Sequence, residues 1–237
     1  MKKIGLFLCL FSASIVCAES LTIAAGAGYK KPVQEIVAVY EAKQNKKVEA
    51  IYGNMAQIFA QAKQTEISIL IADKKFLEKQ KELEVVDYLS LGEGKAVLAY
   101  AKGVRLEKWE DIAKDSIKRV AMPDAKKAIY GQAGAEFLEN AHIMQSIKDK
   151  LLVVATVPQV ASYVSTHEVD VGIINLSVAL DNYTKIGGYI KIPEQYYTKI
   201  EIVAARLGSC QKNVSCQSFL EFLKTPEAQK IFEKYGL

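Results

Sequence analysis

The strongest constraint on this chain is a regular alternation of short apolar segments and amphipathic helical segments. Residues 21–25 form an apolar run that ends in a glycine turn at 26–28, and residues 32–45 then carry apolar side chains at helical spacing. The order of strand, turn and helix recurs along the rest of the chain. Such alternation predicts an α/β protein with open, mostly parallel sheets and helices on both faces.

The remaining segments follow the same two periodicities. Strands are predicted at 47–52, 67–72, 95–100, 118–122, 151–155, 169–174, 189–192 and 199–206. Helices are predicted at 55–63, 74–82, 107–114, 128–140, from Thr156 to His167, and as one or two helices within 216–235. Residues 83–94 carry no predicted helix or strand, and a further helix of unassigned length is predicted to begin at the turn 174–177.

Five predicted turns follow the carboxyl end of a strand and precede a helix. Ligands of open α/β sheets bind at this edge, and a helix start offers unpaired N–H groups to an anion. One such turn alone is typical of any α/β connection, so the prediction depends on their number. The candidate ligand-binding residues are Ala27, Gly28, Tyr29, Gly53, Asn54, Met55, Ala128, Tyr130, Val157 and Asn175. The lysine pairs 30–31 and 126–127 are candidate steering groups beside these turns.

The amino-terminal residues have the pattern of an export signal. Two lysines precede the apolar run from Ile4 to Val16, and Val16-Cys17-Ala18 fits a cleavage site, so we expect cleavage after Ala18 and an exported protein. Val16 disfavours the alternative, a lipid anchor on Cys17. Residues 1–18 hold two lysines and no acidic residue, so cleavage lowers the net charge from +4 to +2. This near-neutral charge argues against a nucleic-acid partner.

The residues that could carry catalysis or a metal do not form a recognisable set. Cys210 and Cys216 are the two cysteines left after cleavage, and in an exported protein they most simply form a local disulfide. Neither His142 nor His167 has zinc-ligand spacing to them. Lys31 replaces the third glycine of a dinucleotide fingerprint, and the chain has no Gly-x-Ser-x-Gly elbow. We therefore expect a protein that is not an enzyme and has neither cofactor nor metal.

Several segments, in their order along the chain, resemble the periplasmic molybdate-binding proteins that feed an ABC importer. These segments are Leu21-Thr22-Ile23-Ala24-Ala25, Ile71-Ala72-Asp73, Met122-Pro123-Asp124, Ala128-Ile129-Tyr130-Gly131, Val157 to Val164, Asp170 to Ile174 and Thr225 to Leu237. The resemblance implies a two-lobed type II periplasmic-binding fold with open mixed sheets and the ligand in the cleft between the lobes. It also implies chain crossings near 101–103 and 195–200. Lobe one is then residues 19–101 and 200–237, and lobe two is 102–199.

The resemblance further implies a ligand, molybdate or tungstate, and a partner, a membrane permease of the ABC type, for a protein that acts as a monomer. The family holds its oxyanion with backbone N–H groups and with hydroxyls at three positions. Here Ala27 is near the first expected serine, Gly53-Asn54 at the second, and Asn175 at the expected tyrosine. These departures leave open another small anion, such as sulfate, phosphate or a carboxylate. A secreted α/β enzyme and a structural exported protein are the remaining alternatives.

Overall fold

The protein is described here by a computed structural model that covers residues 20–237, so the predicted signal peptide lies outside the described residues. Within residues 20–237 the strands are β1 (Leu21–Gly26), β2 (Val48–Gly53), β3 (Ile69–Asp73), β4 (Val85–Gly94), β5 (Ala96–Tyr100), β6 (Val120–Pro123), β7 (Leu151–Val154), β8 (Val171–Asn175), β9 (Gly188–Lys191) and β10 (Ile200–Leu207). The helices are α1 (Lys30–Gln44), α2 (Met55–Ala62), α3 (Lys74–Glu78), α4 (Ile129–Asn140), α5 (Met144–Ile147), α6 (Val157–Ser165), α7 (Leu176–Asp181), α8 (Val214–Leu223) and α9 (Pro226–Lys234).

The strands form two five-stranded mixed sheets, and we call the half of the molecule around each sheet a lobe. In the first sheet the order is β2-β1-β3-β10-β4, with β1, β2 and β3 parallel and β10 antiparallel to β3 and β4. In the second it is β7-β6-β8-β5-β9, with β5 antiparallel to β8 and β9. The central strands β3 and β8 are buried along their whole length, as expected for strands covered on both faces.

The chain passes from the first sheet to the second at Lys95, which separates β4 from β5. This differs from the expected crossing near 101–103, which placed residues 96–101 in lobe one. Strand β5 pairs with β8 and β9, so it belongs to the second sheet. An apolar run predicts a buried strand but not its pairing partner, which is why the sequence misplaced it. The chain returns to the first sheet between Lys191 and Ile200.

Ion pairs join the two crossing segments. The Lys95 ammonium contacts Glu93 at 2.7 Å and Glu194 at 2.7 Å, and Lys199 also pairs with Glu93. Hydrogen bonds from Lys199 and then Lys95 lower the pKa of Glu93 from its ordinary value to about 2. Lys95 and Glu93 are half-buried and Glu194 and Lys199 are exposed, so solvent partly screens the cluster and it adds little to stability.

Some local predictions were wrong. The helix predicted at 107–114 is a short 3-10 helix at Trp109–Ala113, and the one predicted at 74–82 ends at Glu78. Strand β4 and helix α5 have no predicted counterpart, whereas helix α7 begins at the last of the five predicted turns. Strand β4 is an edge strand whose residues are mostly half-exposed or exposed, so its sequence lacks the clear alternation of a half-buried strand.

The carboxyl-terminal elements β10, α8 and α9 pack with the first lobe. Between β10 and α8, Cys210 and Cys216 form the expected disulfide, and both residues are fully buried. In the described part of the chain, no helix combines the length and apolar character needed to cross a membrane. Nor do the His, Cys, Asp and Glu side chains of residues 20–237 form a group of three or more that could hold a metal.

We predict that the double substitution Cys210→Ala and Cys216→Ala lowers the free energy of unfolding by about 2 kcal/mol. The disulfide closes a short loop and so lowers the conformational entropy of the unfolded chain. Removing the bond restores that entropy and stabilises the unfolded state. Urea unfolding measures the change. A reducing agent should destabilise the wild-type protein and leave the double variant unaffected. Equal sensitivity of both proteins to reduction would contradict a structural role for the bond.

Candidate ligand-binding site

Four turns from the two lobes surround one small cavity, which we call the cleft cavity. Its lining residues are Gly26, Ala27, Gly28, Tyr29, Gly53, Asn54 and Met55 from the first lobe and Ala128, Ile129, Tyr130, Thr156 and Val157 from the second. The volume of this cavity is about 20 Å³. That is space for one or two waters, so the two lobes lie close to each other at this cavity.

The register of β1 and β2 explains why their turns meet. The parallel pairing places Gly26 opposite Gly53, so the two strands end at the same level of the sheet. After Gly26 the chain enters the 3-10 turn Ala27–Tyr29, and after Gly53 it enters the start of α2. In the second lobe, α4 and α6 begin just after β6 and β7, which also pair in parallel. Strand ends at one edge of each sheet thus bring four helix starts to one place.

Of the ten residues predicted to bind a ligand, nine line this cavity and Asn175 does not. Asn175 is fully buried behind Gly28, where its Nδ2 donates a hydrogen bond to the Gly28 carbonyl at 2.9 Å. Its Oδ1 is buried without a hydrogen-bond partner among the described residues. A Cβ on Gly28 would lie 3.1 Å from that oxygen, so the close packing favours glycine there. Asn175 therefore supports the turn from behind.

The polar groups of Asn54 are largely committed to the start of α2. Its Oδ1 accepts a hydrogen bond from the Gln57 backbone N–H at 3.0 Å, and its own N–H donates to Gln57 Oε1 at 2.9 Å. This reciprocal pair is a capping box, which satisfies two of the unpaired donors of a helix start. Thr156 has a similar role, because its hydroxyl accepts from the Gln159 N–H at 3.3 Å. Both side chains stabilise the helix starts around the cavity.

One backbone hydrogen bond crosses the cleft directly. The Met55 N–H, at the first position of α2, donates to the Lys127 carbonyl at 2.8 Å. Lys127 lies just before α4 in the second lobe, so this bond joins the two lobes beside the cavity. A second bond between the lobes is donated by a side chain, from Asn175 Nδ2 to the Gly28 carbonyl. The closed arrangement of the lobes is therefore held by hydrogen bonds between main-chain and side-chain groups of the turns themselves.

A pair of buried tyrosines forms a third link between the lobes. Tyr29 and Tyr130 are 1% and 2% exposed, and their hydroxyls share a hydrogen bond. Burial raises the pKa of both phenols well above the ordinary value, so both stay neutral at any working pH. A Cβ on Gly94 would overlap the Tyr130 hydroxyl and lie 2.8 Å from Tyr29 Oη. The pair therefore rests against the end of β4, next to the crossing at Lys95.

Sequence reasoning did not single out Gly26 and Ile129 as candidate site residues, although both line the cavity. It also missed the Lys127 carbonyl. Gly26, Lys127 and Ile129 are each adjacent to a residue that was predicted to bind the ligand. Their positions near the ends of strands were the sequence signal that could have identified them. The type of a side chain does not indicate the direction of its backbone carbonyl, so only the folded structure shows that the Lys127 carbonyl meets the Met55 N–H.

We predict that Tyr29→Phe and Tyr130→Phe each lower the free energy of unfolding by about 1–3 kcal/mol, because either change leaves the other phenol buried without its partner. The double variant should lose less than the sum of the two single changes, since it buries no unpaired hydroxyl. Urea unfolding of the four proteins measures the cycle. Additive losses would show that the two hydroxyls do not interact in solution.

Comparison with known proteins gives a family for this arrangement. Residues 21–237 match the sequence model of a family described as bacterial extracellular solute-binding protein. The molybdate-binding protein ModA of Rhodobacter capsulatus is 27% identical over 226 residues, which cover 92% of this chain and 88% of that protein. The match thus extends over nearly all of both chains.

Two solved structures share the fold at low sequence identity. The periplasmic molybdate-binding protein of Azotobacter vinelandii superposes with a TM-score of 0.83 at 20% identity, covering 91% of this chain and 97% of that one. PEB3 of Campylobacter jejuni, in its complex with L-phospholactate, gives a TM-score of 0.73 at 19% identity, covering 91% and 98%. These similarities confirm the predicted two-lobed type II periplasmic-binding fold. With the family match along almost the whole described chain, they show that this protein belongs to the bacterial extracellular solute-binding proteins.

Proposed function

We propose that the protein captures a tetrahedral oxyanion, molybdate or tungstate, in the cleft cavity and delivers it to an ABC-type membrane permease. The observation that carries this proposal is the composition of the cavity. Helix starts from both lobes converge on it, and none of its lining residues is acidic. Backbone N–H groups at helix starts, together with the positive end of the helix dipole, favour an anion.

The lining also suits a ligand that is bound and released without reaction. Small residues at Ala27, Gly28 and Ala128 let the backbone approach a ligand closely, and the lining offers no nucleophile beside a general base. An oxyanion is larger than the water-sized space in this closed arrangement. Binding therefore requires the lobes to separate slightly, which the hydrogen bond between Met55 and Lys127 opposes. The ligand must replace that stabilisation with its own contacts.

The named relatives support the same ligand. The Rhodobacter capsulatus protein and the Azotobacter vinelandii protein are both called molybdate-binding. By the same reasoning we propose export to the periplasm with cleavage after Ala18, action as a monomer, and function as a binding protein with no catalytic activity.

A second candidate is another small anion, such as sulfate, phosphate or a carboxylate. It is favoured by the side chains at the three positions where the resemblance places hydroxyl ligands. Ala27 has no polar side-chain group, Asn54 uses its Oδ1 and its backbone N–H in the capping box, and Asn175 lies behind Gly28. The cradle is therefore built mainly from backbone groups, which discriminate less between anions of similar shape. The PEB3 structure with L-phospholactate shows that this fold accommodates an organic anion.

We expect molybdate and tungstate to raise the thermal unfolding midpoint of the mature protein, whereas chloride does not. A ligand at about 100 times its dissociation constant adds about 2.7 kcal/mol to stability, which corresponds to a rise of roughly 5–10 °C for a chain of this size. Scanning with molybdate, tungstate, sulfate, phosphate and chloride measures the effect. A shift with sulfate or phosphate alone would favour the second candidate, and no shift with any oxyanion would refute both.

A matched pair of variants locates the binding. Ala128→Asp places a carboxylate in the cavity and should abolish the shift, because the added charge repels the anion. Ala42→Asp adds the same charge at an exposed position of α1 outside the cavity, and this variant should retain the anion-induced rise in the unfolding midpoint. Equal shifts in both variants would place the anion elsewhere on the protein.

A further inference from the structure

A second cavity lies between the lobes, beside the Ala27–Tyr29 turn. Its volume is about 410 Å³, and it is lined by the start of α1 from the first lobe and by α6 and α7 from the second. We call it the lysine groove after Lys30, Lys31 and Lys185, which line it together with Ser162, Ser177 and Asp181. Ala27 and Gly28 line both the lysine groove and the cleft cavity. The two spaces therefore adjoin at this turn.

The positive charge of the groove is poorly neutralised. Lys31 Nζ lies 4.0 Å from Asp181 Oδ1, at the limit of an ion pair, and its side chain is 57% exposed. Lys30 Nζ lies 5.8 Å from the centre of the Tyr52 ring, where it meets no carboxylate. Lys185 forms no ion pair with any residue of the described part of the chain. Lys31 and Lys185 therefore bring two ammonium groups to this space, with the Asp181 carboxylate 4.0 Å from the first of them, whereas Lys30 lines the groove with its ammonium directed over the Tyr52 ring.

The placement of Lys30 and Lys31 also opposes the electrostatics of their own helix. They occupy the first turn of α1, which contains no acidic residue. The amino-terminal end of a helix carries positive partial charge, so lysines there destabilise it and anions stabilise it. A sequence that breaks a local rule in this way is expected at a functional site. The lysines and the helix start both favour an anion at the same place.

The groove also supplies uncharged donors. Ser177 is 3% exposed and Ser162 is exposed, and both hydroxyls line the groove from α7 and α6. Ammonium and hydroxyl donors from both lobes are the set that recognises an oxygen-rich anionic group. We propose that the lysine groove is a second anion-binding subsite, which takes a phosphate or carboxylate group. This proposal goes beyond the oxyanion site of the cleft cavity, and it rests on the proposed function only in assigning the first anion to that cavity.

The bound group has two possible sources. One is a free inorganic anion, and the other is the second acidic group of an organic ligand whose first acidic group occupies the cleft cavity. Backbone amide resonances in a two-dimensional NMR spectrum read the two sites separately, through Lys31, Ser177 and Asn182 for the groove and through Asn54 and Val157 for the cavity. The probes are inorganic phosphate, molybdate, and L-phospholactate, which carries one phosphate and one carboxylate.

The decisive variant replaces Lys30, Lys31 and Lys185 with Gln. Its matched control replaces Lys81, Lys118 and Lys212, three exposed lysines outside the groove, so that the change in net charge is the same. Phosphate should shift the groove resonances to saturation in the wild type and the control, with about tenfold weaker binding in the groove variant. Without any anion, the groove variant should unfold at a higher temperature than the control, because two unfavourable charges leave the start of α1.

The outcomes separate the two sources. If inorganic phosphate shifts the groove resonances to saturation and L-phospholactate binds no more tightly, the bound group is a free anion. The other outcome is that L-phospholactate shifts groove and cavity resonances together and binds the wild type more tightly than phosphate does. If the groove variant binds the two ligands equally, one molecule spans both sites. Groove resonances that never saturate in the wild type, or that respond equally in the groove variant and its control, overturn the proposal. Absence of cavity shifts with molybdate and phosphate would refute the proposed function and leave the test of the groove intact.

Discussion

The relative position of the two lobes depends on two short crossings of the chain. Lys95 alone separates β4 of the first sheet from β5 of the second, so little chain is available to let the sheets drift apart. The hydrogen bond between the Tyr29 and Tyr130 hydroxyls lies against Gly94 at that crossing and joins the lobes from within. The helix starts that line the cleft cavity face each other because the sheets are held in this way.

The sequence was most informative where the physical signal is local. Gly26 and Gly53 mark the ends of two strands, and the turns after them were predicted and found together. Pairing partners were not predictable, because an apolar strand such as β5 suits either sheet. Asn175 illustrates a further limit. Its place after a strand matched the pattern, but its side chain turns behind Gly28 to bond a carbonyl, and only the packed structure shows that direction.

The chemistry of the cleft relies on the main chain. The side chains of Asn54 and Thr156 hold helix starts in position, and Asn175 holds the turn after β1. Such a cradle is preorganised, since its donors are fixed by helices rather than by flexible side chains. For the oxyanion of the proposed function, it is a site with few residue-specific contacts. The proposed second subsite assigns the charged side chains of the lysine groove a separate role beside it.

The place of β10 in the first sheet has a consequence for how the chain folds. This strand lies between β3 and β4, although it follows β4 by more than a hundred residues in sequence. During synthesis the second sheet, built from residues 96–191, has all its strands before β10 has been made. The first sheet stays split into β2-β1-β3 and a lone β4 until the last strand inserts. Contacts so distant in sequence form slowly, so the first lobe is completed late and leaves its strand edges open meanwhile.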